Sequence, residues 1–140
     1  MKEQEVVLRD FTTVEQSKIL SEFLPTETAN MVYCYTKEGD KLISNVPIHL
    51  TRATTNTFKH LCCWSTAALT KVLPPYLFEF ERGIDLNIYP NLNGNGWHCS
   101  YMPNCIENRK NDKFTLITSA NNLIDAVFEM ILKLHELKLL

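Results

Sequence analysis

No run of apolar residues in this chain comes near the ~20 that a membrane-spanning helix requires. Met1-Lys2-Glu3-Gln4-Glu5 brings acidic residues with no apolar stretch behind it, unlike a secretory signal. The expectation is a cytoplasmic protein with no membrane segment. An excess of one charge is missing too: 14 Lys and Arg face 16 Asp and Glu, for a net charge of −2. A general nucleic-acid binder carries a clear basic surplus, so that class is not expected, although a local basic patch remains compatible. The chain lacks internal repeats, low-complexity tracts and Gly/Ser linkers, and no G-x-S-x-G, S-x-x-K or H-E-x-x-H occurs, which removes the common serine-hydrolase, lactamase and zinc-protease signatures. Asn93-Gly94-Asn95-Gly96 contains G-x-G without a third glycine, and Trp97 follows it. It reads as a hairpin turn, because Asn and Gly tolerate positive φ, and not as a phosphate loop.

A disulfide framework is also lacking. The five cysteines, Cys34, Cys62, Cys63, Cys99 and Cys105, are odd in number, include an adjacent pair and form no C-x-x-C. That pattern suits reduced thiols packed as small hydrophobes.

What the chain does contain fits one domain spanning residues 1–140. At 45% hydrophobic and 21% charged, its composition is that of a globular core, and a chain this long buries roughly two-thirds of its unfolded surface without metals or disulfides. Thr12 with Glu15, or Thr13 with Gln16, forms a capping box. Behind it Val14, Ile19, Leu20, Phe23 and Leu24 lie mainly on one helical face until Pro25. Met31–Thr36 is aromatic and β-branched and predicts a strand. A turn at Lys37–Asp40 lets Leu42–Leu50 return, with Pro47 placing that strand at an edge or breaking it. Thr51–Thr57 reads as a loop. Ser65 is the expected N-cap of a second helix carrying Ala67, Ala68, Leu69, Val72 and Leu73, stopped by Pro74-Pro75. Tyr76–Phe80 and Leu86–Tyr89 read as strands, and Trp97, Cys99 and Tyr101 should share one face of a half-buried strand. After an exposed loop over 103–113, Phe114–Thr118 is the last predicted strand.

Asn121 or Asn122 should cap a closing helix to about Leu137, buried through Leu123, Val127, Met130, Ile131, Leu134 and Leu137. Asp125, Glu129, Lys133 and Glu136 line its polar face, with Glu129 and Lys133 spaced for an i, i+4 pair. The predicted class is α+β: a small, mainly antiparallel sheet packed by about three helices and closed by an amphipathic C-terminal helix.

Candidate sites are few. His60 with Cys62 and Cys63, and His98 with Cys99 and Cys105, offer soft zinc ligands, but without knuckle spacing, so no metal or cofactor is expected. Cys63 or Cys99 with a histidine would make a nucleophile only with a lowered thiol pKa; buried thiols are the simpler account. Trp97 and Tyr101 with Arg109, Lys110 and Lys113 combine stacking rings with phosphate-holding cations. The competing account is that the two aromatics are sheet core and the basic loop is solvated. Trp64 reads as a core anchor.

Phe11–Lys18, Leu24-Pro25 and Thr28-Ala29-Asn30-Met31 resemble the opening of small uncharacterised proteins of Bacteroides-type gut bacteria and their phages. Cys63-Trp64-Ser65 with Leu69, Leu73 and Pro74 resembles their middle helix. Trp97-x-Cys99-x-Tyr101 and Asp125–Met130 resemble their closing strand and helix. The element order is also similar to the α-β-α sandwich domains of phage accessory proteins. The resemblance implies a phage- or mobile-element-borne accessory protein and supplies no catalytic residues. The expected function is a non-catalytic binding or interaction module. The alternatives are a nucleotide-binding sponge that sequesters a defence signal, using Trp97, Tyr101, Arg109 and Lys110, and a Cys/His-dependent enzyme. The partner is an unknown protein or a small nucleotide, and a homo-oligomer is one option, since such sites often form between subunits.

Overall fold

The computed structural model describes residues 9–36, 38–39, 41–50, 59–77, 84–103 and 115–140. Helix α1 spans Val14–Ser21, a 3-10 turn spans Thr26–Thr28, and β1 (Met31–Tyr35), β2 (Ile48–His49) and β3 (Lys59–Cys63) follow. Helix α2 (Thr66–Val72) leads to β4 (Tyr76–Leu77), β5 (Ile84–Pro90), β6 (Trp97–Pro103) and β7 (Leu116–Ala120), and α3 (Leu123–Glu136) closes the chain. The class is α+β as predicted, but the strands form two antiparallel sheets: one in the order β2-β1-β3, the other β4-β5-β6-β7.

Local chemistry sets the helix ends. Thr13, not Thr12, caps α1, its hydroxyl accepting from the Gln16 N–H while the Gln16 side chain accepts from the Thr13 N–H. Ser65 caps α2 by accepting from the Ala68 N–H at 3.2 Å, and Asn122 stands at the N-cap of α3. Strand β3 was missed because its sequence, Lys-His-Leu-Cys-Cys, lacks a clean alternation of apolar and polar residues; pairing with β1 makes it a strand. The return strand after the first turn contracts to Ile48–His49, just past Pro47, with Tyr35 and Leu42 forming an isolated bridge. The last strand runs two residues further along the chain than predicted. The expected loop at 51–57 and the strand ends at 78–80 and Phe114 lie outside the described residues.

One core joins the helices to the second sheet. The face of β6 carrying Cys99 and Tyr101 is fully buried, with Trp97 partly buried against the same cluster. Helix α3 lies over β6 and β7 and touches α2. Its buried surface is wider than the predicted stripe: Ile124, Ala126 and Phe128 join Val127, Met130, Ile131 and Leu134, because α3 meets both a sheet and a helix. Leu137 is exposed and Leu123 half-buried. Asp125, on the polar side of α3, forms an ion pair with Arg9. In α1, Ile19 is exposed and Ser17 buried, an inversion that the hydroxyl cluster around Thr12 explains.

Thr12 is fully buried where the N-terminal segment meets the β3–α2 junction. Its N–H donates to the Trp64 carbonyl at 2.9 Å and its hydroxyl accepts from the Trp64 N–H at 3.1 Å. The same hydroxyl is 2.8 Å from Ser17 Oγ and 3.4 Å from Cys63 Sγ, and the Tyr33 hydroxyl donates to the Thr12 carbonyl at 2.6 Å. The Phe11–Ser65 bridge and a bond from the Thr66 N–H to the Asp10 carbonyl continue the pairing. Buried donors left without acceptors cost about 1–3 kcal/mol each. Thr12→Val, which keeps the shape and deletes the hydroxyl, should therefore lower stability by about 2–3 kcal/mol in urea unfolding. A loss under about 0.5 kcal/mol, the scatter of ordinary surface changes, would show the cluster to be dispensable.

Candidate binding surface

Of the residues singled out as a ligand site, the two aromatics belong to the core. Tyr101 is fully buried and its hydroxyl donates to the Pro74 carbonyl at 2.6 Å; burial, then the nearby Cys99, hold its pKa above the usual phenol range. Trp97 packs against the core from the same face. Both therefore turn inward, because α3 covers the odd-numbered face of β6. Arg109, Lys110 and Lys113 lie outside the described residues, as does Cys105.

The metal candidates separate for a geometric reason. Successive residues of a strand point to opposite faces, so β3 turns Cys62 and Cys63 apart, and β6 does the same to His98 and Cys99. Among the described residues, no group of three His, Cys, Asp or Glu side chains is placed to hold a metal ion. Cys63 and Cys99 are both fully buried. Burial pushes the Cys63 thiol up although hydrogen bonds from Thr12, Ser17 and Tyr33 pull the other way. The Cys99 thiol is pushed up to about 12, again by burial. A nucleophilic cysteine needs the opposite shift and access to substrate. Trp64 is the core anchor the sequence suggested, with its indole N–H bonded to Thr28 Oγ1 at 2.9 Å.

The other face of the second sheet carries a set of side chains that the sequence reading passed over. Asn87 pairs with Ser100, Tyr89 with His98, His98 with Ser119 and Ser100 with Ile117, so these six residues occupy neighbouring positions on one face. Tyr89 and His98 hold their ring centroids 5.1 Å apart at 42°, and His98 Nδ1 lies 2.5 Å from Ser119 Oγ. Asn87, Tyr89, Ile117 and Ser119 are exposed, whereas Ser100 is fully buried and its hydroxyl has no partner among the described residues. The available signal was the alternation itself: if Trp97, Cys99 and Tyr101 face the core, His98 and Ser100 must face away.

A polar groove of about 550 Å³ borders the same sheet. Its floor is Ile117–Ala120 of β7, and its walls are Arg9, Gln16, Asp125, Glu129 and Lys133. Gln16 Nε2 donates to Asp125 Oδ1 at 2.8 Å beside the Arg9–Asp125 ion pair. Lys133 Nζ donates to the Ile117 carbonyl at 3.5 Å. No protein family, curated protein or solved structure matches this chain.

The buried thiols and phenols dictate how stability responds to alkali. Cys99 rises from the ordinary value of 9 to about 12 in the folded chain, and Tyr33 and Tyr101 are also raised above theirs. Below pH 9 both states hold the Cys99 proton and its contribution to stability is fully present. Between 9 and 12 only the unfolded chain releases that proton, so stability falls as pH rises. Urea midpoints should stay level from neutral pH to about pH 9 and then decline, more shallowly in Cys99→Val. A thiol reagent at neutral pH should label Cys63 and Cys99 only at the rate of unfolding, as mapped by peptide mass. Prompt labelling of either would contradict the burial described above.

Proposed function

We propose that this chain is a non-catalytic binding or interaction module, an accessory protein of phage or prophage type, whose contact surface is the outer face of β5, β6 and β7. One observation carries the reading. Tyr89 and Ile117 are 36% and 41% exposed on a regular sheet whose opposite face packs into the core. Aromatic and aliphatic side chains held in register by a paired sheet lose little conformational freedom on contact, which favours binding. Side chains on strands are also placed more precisely than those on loops. The phage setting rests on the resemblance of the opening, middle and closing segments. A cytoplasmic location belongs to the same reading and is supported by free thiols at Cys34, Cys62, Cys63 and Cys99.

A nucleotide ligand is the second reading, favoured by the paired rings of Tyr89 and His98 with the Asn87 amide and Ser119 hydroxyl on the same face. Open antiparallel sheets with exposed aromatics bind bases in this manner. Tyr89 and His98 then take the stacking role first assigned to Trp97 and Tyr101. The Cys/His enzyme has the least support, because both proposed nucleophiles are buried.

A photo-crosslinking residue introduced at Tyr89 tests the surface in producing cells, with Lys71 on α2 as an exposed control. Adducts from position 89 and not from position 71 are expected. A protein adduct favours the interaction module and a nucleotide mass favours the sponge. Equal backgrounds at both positions would remove the outer face as the contact surface. Tyr89→Ala should change stability by no more than about 0.5 kcal/mol, as a surface change does, so loss of contact in that variant is not loss of fold.

A further inference from the structure

Strand β7 ends the order β4-β5-β6-β7, and no described strand pairs with its far edge. Two contacts fix which backbone groups point outward there. Directly opposed side chains approach most closely at non-hydrogen-bonded pairs of an antiparallel ladder, and His98 and Ser119 meet at 2.5 Å. Lys133, on α3, reaches the Ile117 carbonyl, which must therefore face away from β6. Ile117 and Ser119 thus direct their N–H and C=O groups to the outer edge, while Leu116, Thr118 and Ala120 bond to β6. The groove of about 550 Å³ runs along this edge, with four consecutive β7 residues as its floor.

The charges along the groove have an order. Arg9 and Asp125 neutralise each other in their ion pair, which leaves Glu129 and Lys133, both exposed on α3. The chain reverses at Asn121 and Asn122 between β7 and α3, so α3 runs back along the strand. Lys133 stands level with Ile117, Asp125 with the Ala120 end, and Glu129 between them. A foreign strand would meet one positive and one negative group with no net attraction for either sign. A second copy turned by a two-fold axis supplies the complementary order.

We propose that the β7 edge pairs antiparallel with β7 of a second copy of this chain, about a two-fold axis at Thr118. Ile117 then lies opposite Ser119 of the second copy, and their outward N–H and C=O groups make four hydrogen bonds. Lys133 leaves the Ile117 carbonyl for Glu129 of the second copy, and the reciprocal pair forms on the other side of the axis. The lysine thereby guards the edge of the lone chain, as edge lysines do, and becomes a contact in the pair. Such an interface is isologous and closes. It joins two four-stranded sheets into one of eight strands and leaves Tyr89 and His98 uncovered. The proposal is independent of the outer-face reading, and the two fail separately.

Sedimentation equilibrium over the micromolar range tests it with four chains: the native one, Lys133→Glu, Glu129→Lys and the double exchange. The native chain should dimerise. Each single reversal should weaken the dimer about tenfold or more, since it replaces two attractive pairs by repulsive ones. The double exchange should restore the dimer, which a merely structural role for either residue does not predict. Slow hydrogen exchange at the Ile117 and Ser119 amides should accompany the dimer and vanish on dilution. A monomer with those amides exchanging freely would overturn the proposal. So would a monomer with them protected, which assigns the edge to another part of the same chain. A dimer indifferent to the charge exchange would place the interface elsewhere.

Discussion

A buried hydroxyl destabilises a fold unless its hydrogen bonds are all made, and Thr12 is bonded to groups drawn from three parts of the chain. Its N–H donates to the Trp64 carbonyl, its hydroxyl accepts from the Trp64 N–H and meets Ser17 and Cys63, and its carbonyl receives the Tyr33 hydroxyl. This cluster anchors the start of α1, the end of β3 and the middle of β1 at one point. The next residue, Thr13, caps α1, and the residue after Trp64, Ser65, caps α2. Asn30 clasps Ser65 from the other side, accepting from its N–H at 3.0 Å and donating to its hydroxyl at 2.8 Å. Two helix starts and one sheet edge therefore share a single set of polar contacts, and loss of any member loosens more than its own element.

The second sheet divides its chemistry by face. Helix α3 covers one face of β6 and β7, with Thr118 Oγ1 reaching the Ala126 carbonyl at 2.6 Å to tie strand to helix. Gly96, at φ +109°, lets the hairpin close against the next strand, because a Cβ there would stand 2.3 Å from the Ala120 carbonyl oxygen. Large side chains on the covered face supply the core, and their burial makes Cys99 and Tyr101 inert. The other face keeps Tyr89, His98, Asn87 and Ser119 in fixed register. The buried and the exposed sets thus come from the same strands.

Arg9 extends this organisation across the molecule. By joining Asp125 on α3 alongside Gln16 on α1, it couples the segment held at Thr12 to the helix covering the second sheet. The ion pair is partly exposed, at 22% and 29% for the two side chains, so salt weakens it and its contribution to stability is modest. Its positional effect is larger: it fixes the wall of the β7 groove and leaves Glu129 and Lys133 as the open charges there.

Elements governed by near neighbours were legible from the sequence. The capping residues of α1 and α2, the stop at Pro74-Pro75, the Asn-Gly hairpin and the amphipathic closing helix depend on contacts within a few residues, and those contacts are written locally. So was the shared face of Trp97, Cys99 and Tyr101, a consequence of the two-residue period of a strand. The division into two sheets was not legible, nor was β3, because strand pairing joins residues distant in the chain and leaves no local mark. Which face of the second sheet is covered was not legible either. Period two says which residues share a face, but only the position of α3 decides which face meets water, and it turned Trp97 and Tyr101 inward and left Tyr89 and His98 outside. The Thr12 cluster and the Arg9–Asp125 pair, 116 residues apart in the chain, exist only once the segments meet, since a hydrogen bond depends on distance in space and the sequence records only distance along the chain.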